Sequence, residues 1–234
     1  MKQNRQPVYL FADSQLLFWK ERGVLFLGSV RRLVTGDAPK AAYVGASNGD
    51  APEFYSIFEA AVRGAGILDC RMIRRSFPAE DRTFLCEADI ILLAGGEVER
   101  GWHVFAETGM GEHIVRRFEE GAVLLGISAG AVQLGLYEPV ESESSHAELK
   151  GTFGLVPFVL DAHDEARQWG RLRKTIRLLG GAAEGVGIPT GGGAVFYPDG
   201  RVEAVRHPLY QISSEGGEVR EVSLPPSGRW LNEL

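Results

Sequence analysis

One stretch carries residue types and spacing that could do chemistry: Gly126-Ile127-Ser128-Ala129-Gly130-Ala131. It follows an aliphatic run, Val123-Leu124-Leu125, and leads into an apolar, helix-like segment, Ala131-Val132-Gln133-Leu134. In that context Gly-x-Ser-x-Gly reads as a nucleophile elbow, a sharp strand-to-helix turn that holds a serine hydroxyl exposed on a strained backbone. Glycines two residues before and after the serine let neighbouring backbone pass close by. The next backbone N–H, that of Ala129, can then face a developing oxyanion. The plain alternative is a Gly/Ser turn; the buried strand before Ser128 and the small residues after it favour the elbow.

A serine needs a base to act as a nucleophile at neutral pH. Of five histidines, His163 ends an apolar strand, Phe158-Val159-Leu160, and would reach the sheet edge that carries Ser128. His146, in an acidic stretch from Tyr137 to Lys150, is the second candidate. His103 and His113 suit packing on the helix before the elbow, and His207 looks peripheral. A carboxylate should hold the imidazole tautomer. Glu141 and Glu143 lie between serine and histidine, Glu165 lies two residues beyond, and Asp161 precedes. Asp164 is disfavoured because neighbours on a strand point to opposite sides. Gly95-Gly96 after a buried strand could supply a second oxyanion donor. Of the arginines Arg167, Arg171, Arg173 and Arg177, one could clamp a carboxylate.

These residues need a scaffold, and the chain supplies alternating strands and helices. Apolar strands are expected at Pro7–Phe11, Ala41–Val44, Ile67–Ile73, Asp89–Ala94 and Ala122–Leu125. Helices are expected at Pro52–Arg63, with Phe54, Ile57, Phe58, Ala61 and Val62 on its buried face, at Pro78–Cys86, at Trp102–Phe118 and at Glu165–Leu179. This pitch implies βαβ units and a parallel sheet whose sites gather at the C-terminal strand ends. The fold class is therefore α/β, a three-layer sandwich with a mostly parallel sheet and C-terminal β-hairpins. Residues 1–234 read as one domain, with a peripheral Pro/Gly-rich tail after Ser223.

Composition narrows the classes of function. A net charge of −6 over 234 residues argues against nucleic acid as a partner. No apolar run reaches a membrane span, and the first seven residues lack an apolar signal core. Cys70 and Cys86 have no metal-ligand spacing and read as reduced thiols of a cytoplasmic protein. No metal or organic cofactor is implied, no phosphate-binding loop occurs, and self-association as a homodimer stays open.

Taken together, four segments resemble the serine peptidase family of aspartyl dipeptidase (peptidase E) and cyanophycinase. They are Ala46-Ser47 after a strand, Leu93-Ala94-Gly95-Gly96, the Ser128 elbow, and Gly154-Leu155-Val156-Pro157 leading to Asp161-Ala162-His163. The resemblance runs from about Ala41 to Leu179. It implies a flavodoxin-like fold similar to class I glutamine amidotransferases, with serine in place of cysteine. It implies Ser128 as nucleophile, His163 as base, and an oxyanion hole from the N–H groups of Gly95 or Gly96 and Ala129. The family's acid maps onto Glu141 when counted back from His163 and onto Glu143 when counted forward from Ser128; Glu141 is preferred. Arg167 lies where some relatives carry a substrate-facing arginine. The expected activity is hydrolysis of an amide bond in a small peptide through an acyl-enzyme. The alternatives are a binding protein that has lost catalysis, or an esterase or amidase acting on a non-peptide. Glu97 and Asp164 depart from the family pattern and speak against an acidic substrate.

Overall fold

The computed structural model describes residues 5–141, 148–228 and 230. Glu143 and His146 lie outside the described residues. β1 (Val8–Phe11) leads through a short ribbon, β2 (Lys20–Glu21) and β3 (Val24–Leu25), into α1 (Leu27–Leu33). β4 (Lys40–Val44), α2 (Pro52–Gly64), β5 (Asp69–Ile73), α3 (Ala79–Glu87) and β6 (Ile90–Leu93) then alternate. α4 (Val98–Thr108), α5 (Met110–Glu119), β7 (Val123–Ile127) and α6 (Ala129–Leu134) follow. The last part holds β8 (Phe158–Ala162), α7 (Gly170–Leu179), β9 (Glu184–Ile188), β10 (Gly193–Phe196), β11 (Val202–Val205), β12 (Leu209–Glu215) and β13 (Glu218–Leu224).

Seven strands form the central sheet in the order β11-β10-β1-β7-β6-β4-β5. β1, β7, β6, β4 and β5 are mutually parallel, and β10 and β11 add an antiparallel edge. Strands covered on both faces read as unbroken apolar runs, and all four residues of β6 are buried. Leu10, Val44, Ile91, Leu93 and Leu124 face α3 and α5. Tyr9, Phe11, Tyr43, Leu92 and Leu125 face α1 and α2. The α/β layering and mostly parallel sheet expected from the sequence are present. Among the described residues no helix is long and apolar enough to cross a membrane.

Several expectations need correction. β8, which carries His163, belongs to a second sheet of order β13-β12-β9-β8 and not to the central one. That sheet packs through Leu160, Ala162, Val186 and Ile188 against the face that also meets α5. The single helix expected over Trp102–Phe118 is two, parted at Gly109 with φ +72°. The helix expected from Glu165 starts only at Gly170, after Gln168 and Trp169 take left-handed backbone at φ +52° and +58°. Burial of the Trp169 ring, which leaves no room for a side chain at Gly187 and packs 5.4 Å from the Tyr210 ring, fixes that turn. Phe54, expected on the buried face of α2, is half exposed. The tail is not peripheral throughout, because Trp230 is buried, with its ring 4.8 Å from Phe26 and 5.7 Å from Trp19. The two cysteines are free.

Candidate active site

Ser128 stands between β7 and α6 with φ +49° and ψ −110°. That is a sparsely populated region for a residue with a Cβ, and such strain persists only where the surroundings impose it. Here they do so at both ends. The Ser128 N–H donates to the Phe11 carbonyl at 2.9 Å, and the Ser128 carbonyl accepts from Val132 N–H at 3.0 Å. The first contact follows from register, because Phe11 of β1 pairs with Ile127 of β7. At Gly130 a Cβ would lie 2.0 Å from the Leu93 carbonyl oxygen, so the second glycine of the elbow lets α6 close onto β6.

His163 follows β8 with φ +46°. Its N–H donates to Ile188 O at 2.9 Å. Its ring is held so that Nε2 is 2.7 Å from Ser128 Oγ. When Nδ1 carries the ring proton, Nε2 is the acceptor and the serine hydroxyl donates to it. The structure therefore brings together the serine and the histidine singled out in the sequence, from two different sheets.

The carboxylates sort differently from expectation. Glu141 accepts a hydrogen bond from Arg171 Nη1 at 3.1 Å and has none with His163, since α7 brings that guanidinium up beside it. Asp161 is buried, accepts from Arg171 Nη2 at 2.7 Å and keeps Oδ2 without a partner. Burial pushes its carboxyl up to about 6, against the pull of Arg171. Asp164 is buried as well. Glu165 sits in the short turn just after His163, with Oε1 accepting from Thr190 N–H at 3.1 Å and Oε2 buried and unpartnered. Burial raises the Glu165 carboxyl, but Thr190, its own backbone N–H and the nearby His163 outweigh that and hold it below its ordinary value.

Gly95 and Gly96 follow β6 and lie beside the serine; a Cβ on Gly95 would sit 3.4 Å from Ser128 Cβ. Their N–H groups have no hydrogen-bond partner among the described residues. Ala129 N–H is the first of α6 and has no carbonyl within its helix to reach. The Gly95-Gly96 turn is braced from below. Glu97 N–H donates to Ser47 O at 2.9 Å, and buried Gln133 on α6 donates from Nε2 to Ser47 Oγ at 3.1 Å and to Val98 O at 3.0 Å.

Arg167 does not reach the site. Its side chain is 74% exposed and its guanidinium is 3.9 Å from Asp164. The arginine at the site is Arg171, which the broken helix carries there instead. Ser128 and His163 stand at the rim of two cavities. One, of about 260 Å³, lies toward α2; the other, of about 120 Å³, is lined by Glu138, Asp161 and Arg171. The signal for Arg171 was its place on the arginine face of an amphipathic segment, which does not by itself say which arginine turns inward.

The arrangement is a mixed α/β fold in which a serine hydroxyl abuts an imidazole, with backbone N–H groups alongside that have no partner among the described residues. The chain belongs to peptidase family S51, matched over residues 17–205, and is a serine-type peptidase. No curated protein matches the sequence. Among solved structures it is similar to a peptidase from an acI-B1 actinobacterium, at TM-score 0.67 and 14% identity, covering 94% of this chain and 97% of that one. It is also similar to a protein from Listeria monocytogenes EGD-e assigned as a peptidase E, at TM-score 0.55 and 16% identity, covering 94% and 99%.

Proposed function

We propose that Ser128 attacks the carbonyl of an amide bond in a small peptide and that His163 takes its proton and returns it to the leaving amine. An acyl-enzyme forms on Ser128 Oγ, and water then releases it with His163 acting as base a second time. The observation that carries this reading is the 2.7 Å approach of Ser128 Oγ to His163 Nε2 at the rim of both cavities. The oxyanion would be held by the N–H groups of Ala129 and of the Gly95-Gly96 turn, which have no competing acceptor among the described residues. Compact cavities on either side of the pair favour a short peptide.

For the third member of the triad we take Glu165 in place of Glu141. Its buried, unpartnered Oε2, in the short turn just after His163, supports it, while Glu141 is engaged by Arg171. Labelling with a fluorophosphonate, read by mass spectrometry, tests both points. Wild-type enzyme should be modified at Ser128, and Ser128→Ala should lose labelling and turnover. Glu165→Gln should lower kcat on the order of 10²- to 10⁴-fold, as loss of an orienting carboxylate does, and Glu141→Gln should have little effect. The reverse pattern would return the role to Glu141. No labelling of the wild-type protein would remove Ser128 as the nucleophile.

A further inference from the structure

The larger cavity differs in character from the smaller one. Leu17, Tyr43, Phe54, Ile57, Phe58 and Ile127 give it a largely apolar wall, and Ser128 and His163 stand at one end. Away from the catalytic end, the side chains of Asp13 and Asn48 that reach it are already engaged, and Ser14 adds one neutral hydroxyl. Asp13 accepts from Gln15 N–H at 2.9 Å and from Gly191 N–H at 2.7 Å. Asn48 donates to the Tyr43 hydroxyl at 2.8 Å and accepts from Ala51 N–H at 3.2 Å. No lysine or arginine among the described residues lines it. Burial pushes the Tyr43 hydroxyl up to about 12, which keeps that wall neutral. Phe54 leaves a large aromatic face half exposed at the outer edge, where a bound group would cover it.

A volume of about 260 Å³ is below the roughly 300–1,000 Å³ that encloses a drug-sized ligand and suits a single side chain. A carboxylate placed there would lose its water, meet no lysine or arginine among the described residues and face Asp13. An ammonium would give up its water for one carboxylate, Asp13, whose oxygens already accept from Gln15 N–H, Gln15 Nε2 and Gly191 N–H. Apolar surface, by contrast, gains from leaving water, and each methylene that fits a hydrophobic pocket changes kcat/KM by about 10-fold.

We propose that this cavity receives an apolar side chain, aliphatic or aromatic, of a residue flanking the scissile amide bond. The specificity is thus opposite in chemistry to that for an acidic residue, and it is set by α2 and the segment after β1. The inference rests on Ser128 as the nucleophile.

The test is a matched panel of dipeptides, Xaa-Ala and Ala-Xaa, with Xaa as Phe, Leu, Asp or Lys, alongside fluorophosphonate labelling of Ser128. In at least one of the two series kcat/KM for Phe or Leu should exceed that for Asp and Lys by about 10-fold or more. Filling the cavity by Ile57→Trp should lower the ratio of Phe to Ala at that position by a similar factor. A preference for Asp or Lys, or no preference, with Ser128 still labelled would overturn the proposal and leave the nucleophile in place. Absence of both labelling and turnover would instead remove the nucleophile, and the specificity with it.

Discussion

At Gly96 the backbone φ is +140°, and a Cβ would lie 2.2 Å from the Ser47 carbonyl oxygen. The contact is with backbone, so no rotamer change relieves it. Gly96→Ala should cost at least about 1–3 kcal/mol from the backbone region alone. It should also displace the turn beside Ser128, so turnover should fall even in the folded fraction. Thermal melts combined with initial rates normalised to folded protein would check this; an unchanged kcat would show that the turn is not part of the oxyanion hole. Ser128 and Gly130 could be read from the sequence because their constraint is local, a strand meeting a helix through small residues. The carboxylate proposed above to orient the histidine could not. Glu141 and Glu165 look alike in sequence, and only the position of Arg171 and of the Thr190 N–H separates them.

Elements were legible where one apolar period runs without interruption, as in β6, β7 and α2. They were misread where a tertiary demand overrides it. The Trp102–Phe118 stretch has helical spacing throughout, yet the chain turns at Gly109. The segment after His163 looks helical, yet burying Trp169 needs two left-handed residues first. α3 shows the opposite case, an element anchored by charge. Buried Asp81 accepts from Arg74 N–H at 3.0 Å, from Nε at 2.8 Å and from Nη2 at 3.1 Å, tying α3 to the end of β5. Burial pushes the Asp81 carboxyl up, but the Arg74 bonds prevail and hold it below its ordinary value. Its contribution is thus present above the ordinary carboxylate range and is lost as pH falls through the lower, folded-state value. Asp81→Asn should cost about 1–2 kcal/mol at pH 7, the modest end because Arg74 is half exposed. The gap to wild type should close below about pH 4. Urea titrations across that range would show it, and a gap constant in pH would contradict the assignment.

Across the whole molecule, parts distant in sequence close the structure. Trp230 packs edge-on against Phe26 and beside Trp19, so the C-terminal segment covers the face of the sheet that α1 and α2 cover elsewhere. Trp230→Ala should cost about 3–5 kcal/mol, or roughly 6–20 °C in Tm at about 2–4 °C per kcal/mol for a chain of this size. A melt within about 2 °C of wild type would show that the contact contributes little. No periodic signal marks this tryptophan; a lone aromatic in a Pro/Gly-rich tail has no pattern from which burial can be read.

The seating of Ser128 and His163 in different sheets bears on when the protein can become active as it is made. A nascent chain that ends at Pro157 already contains the elbow but no His163. Its β1, which ties down the Ser128 N–H, still lacks β10 on its open side. The base arrives with β8, its own N–H anchor at Ile188 with β9, and the strand that covers β1 later still. On the reading proposed above, hydrolysis therefore waits for the strands that follow Pro157, and the growing chain is spared its own activity until β8 and β9 have joined the elbow.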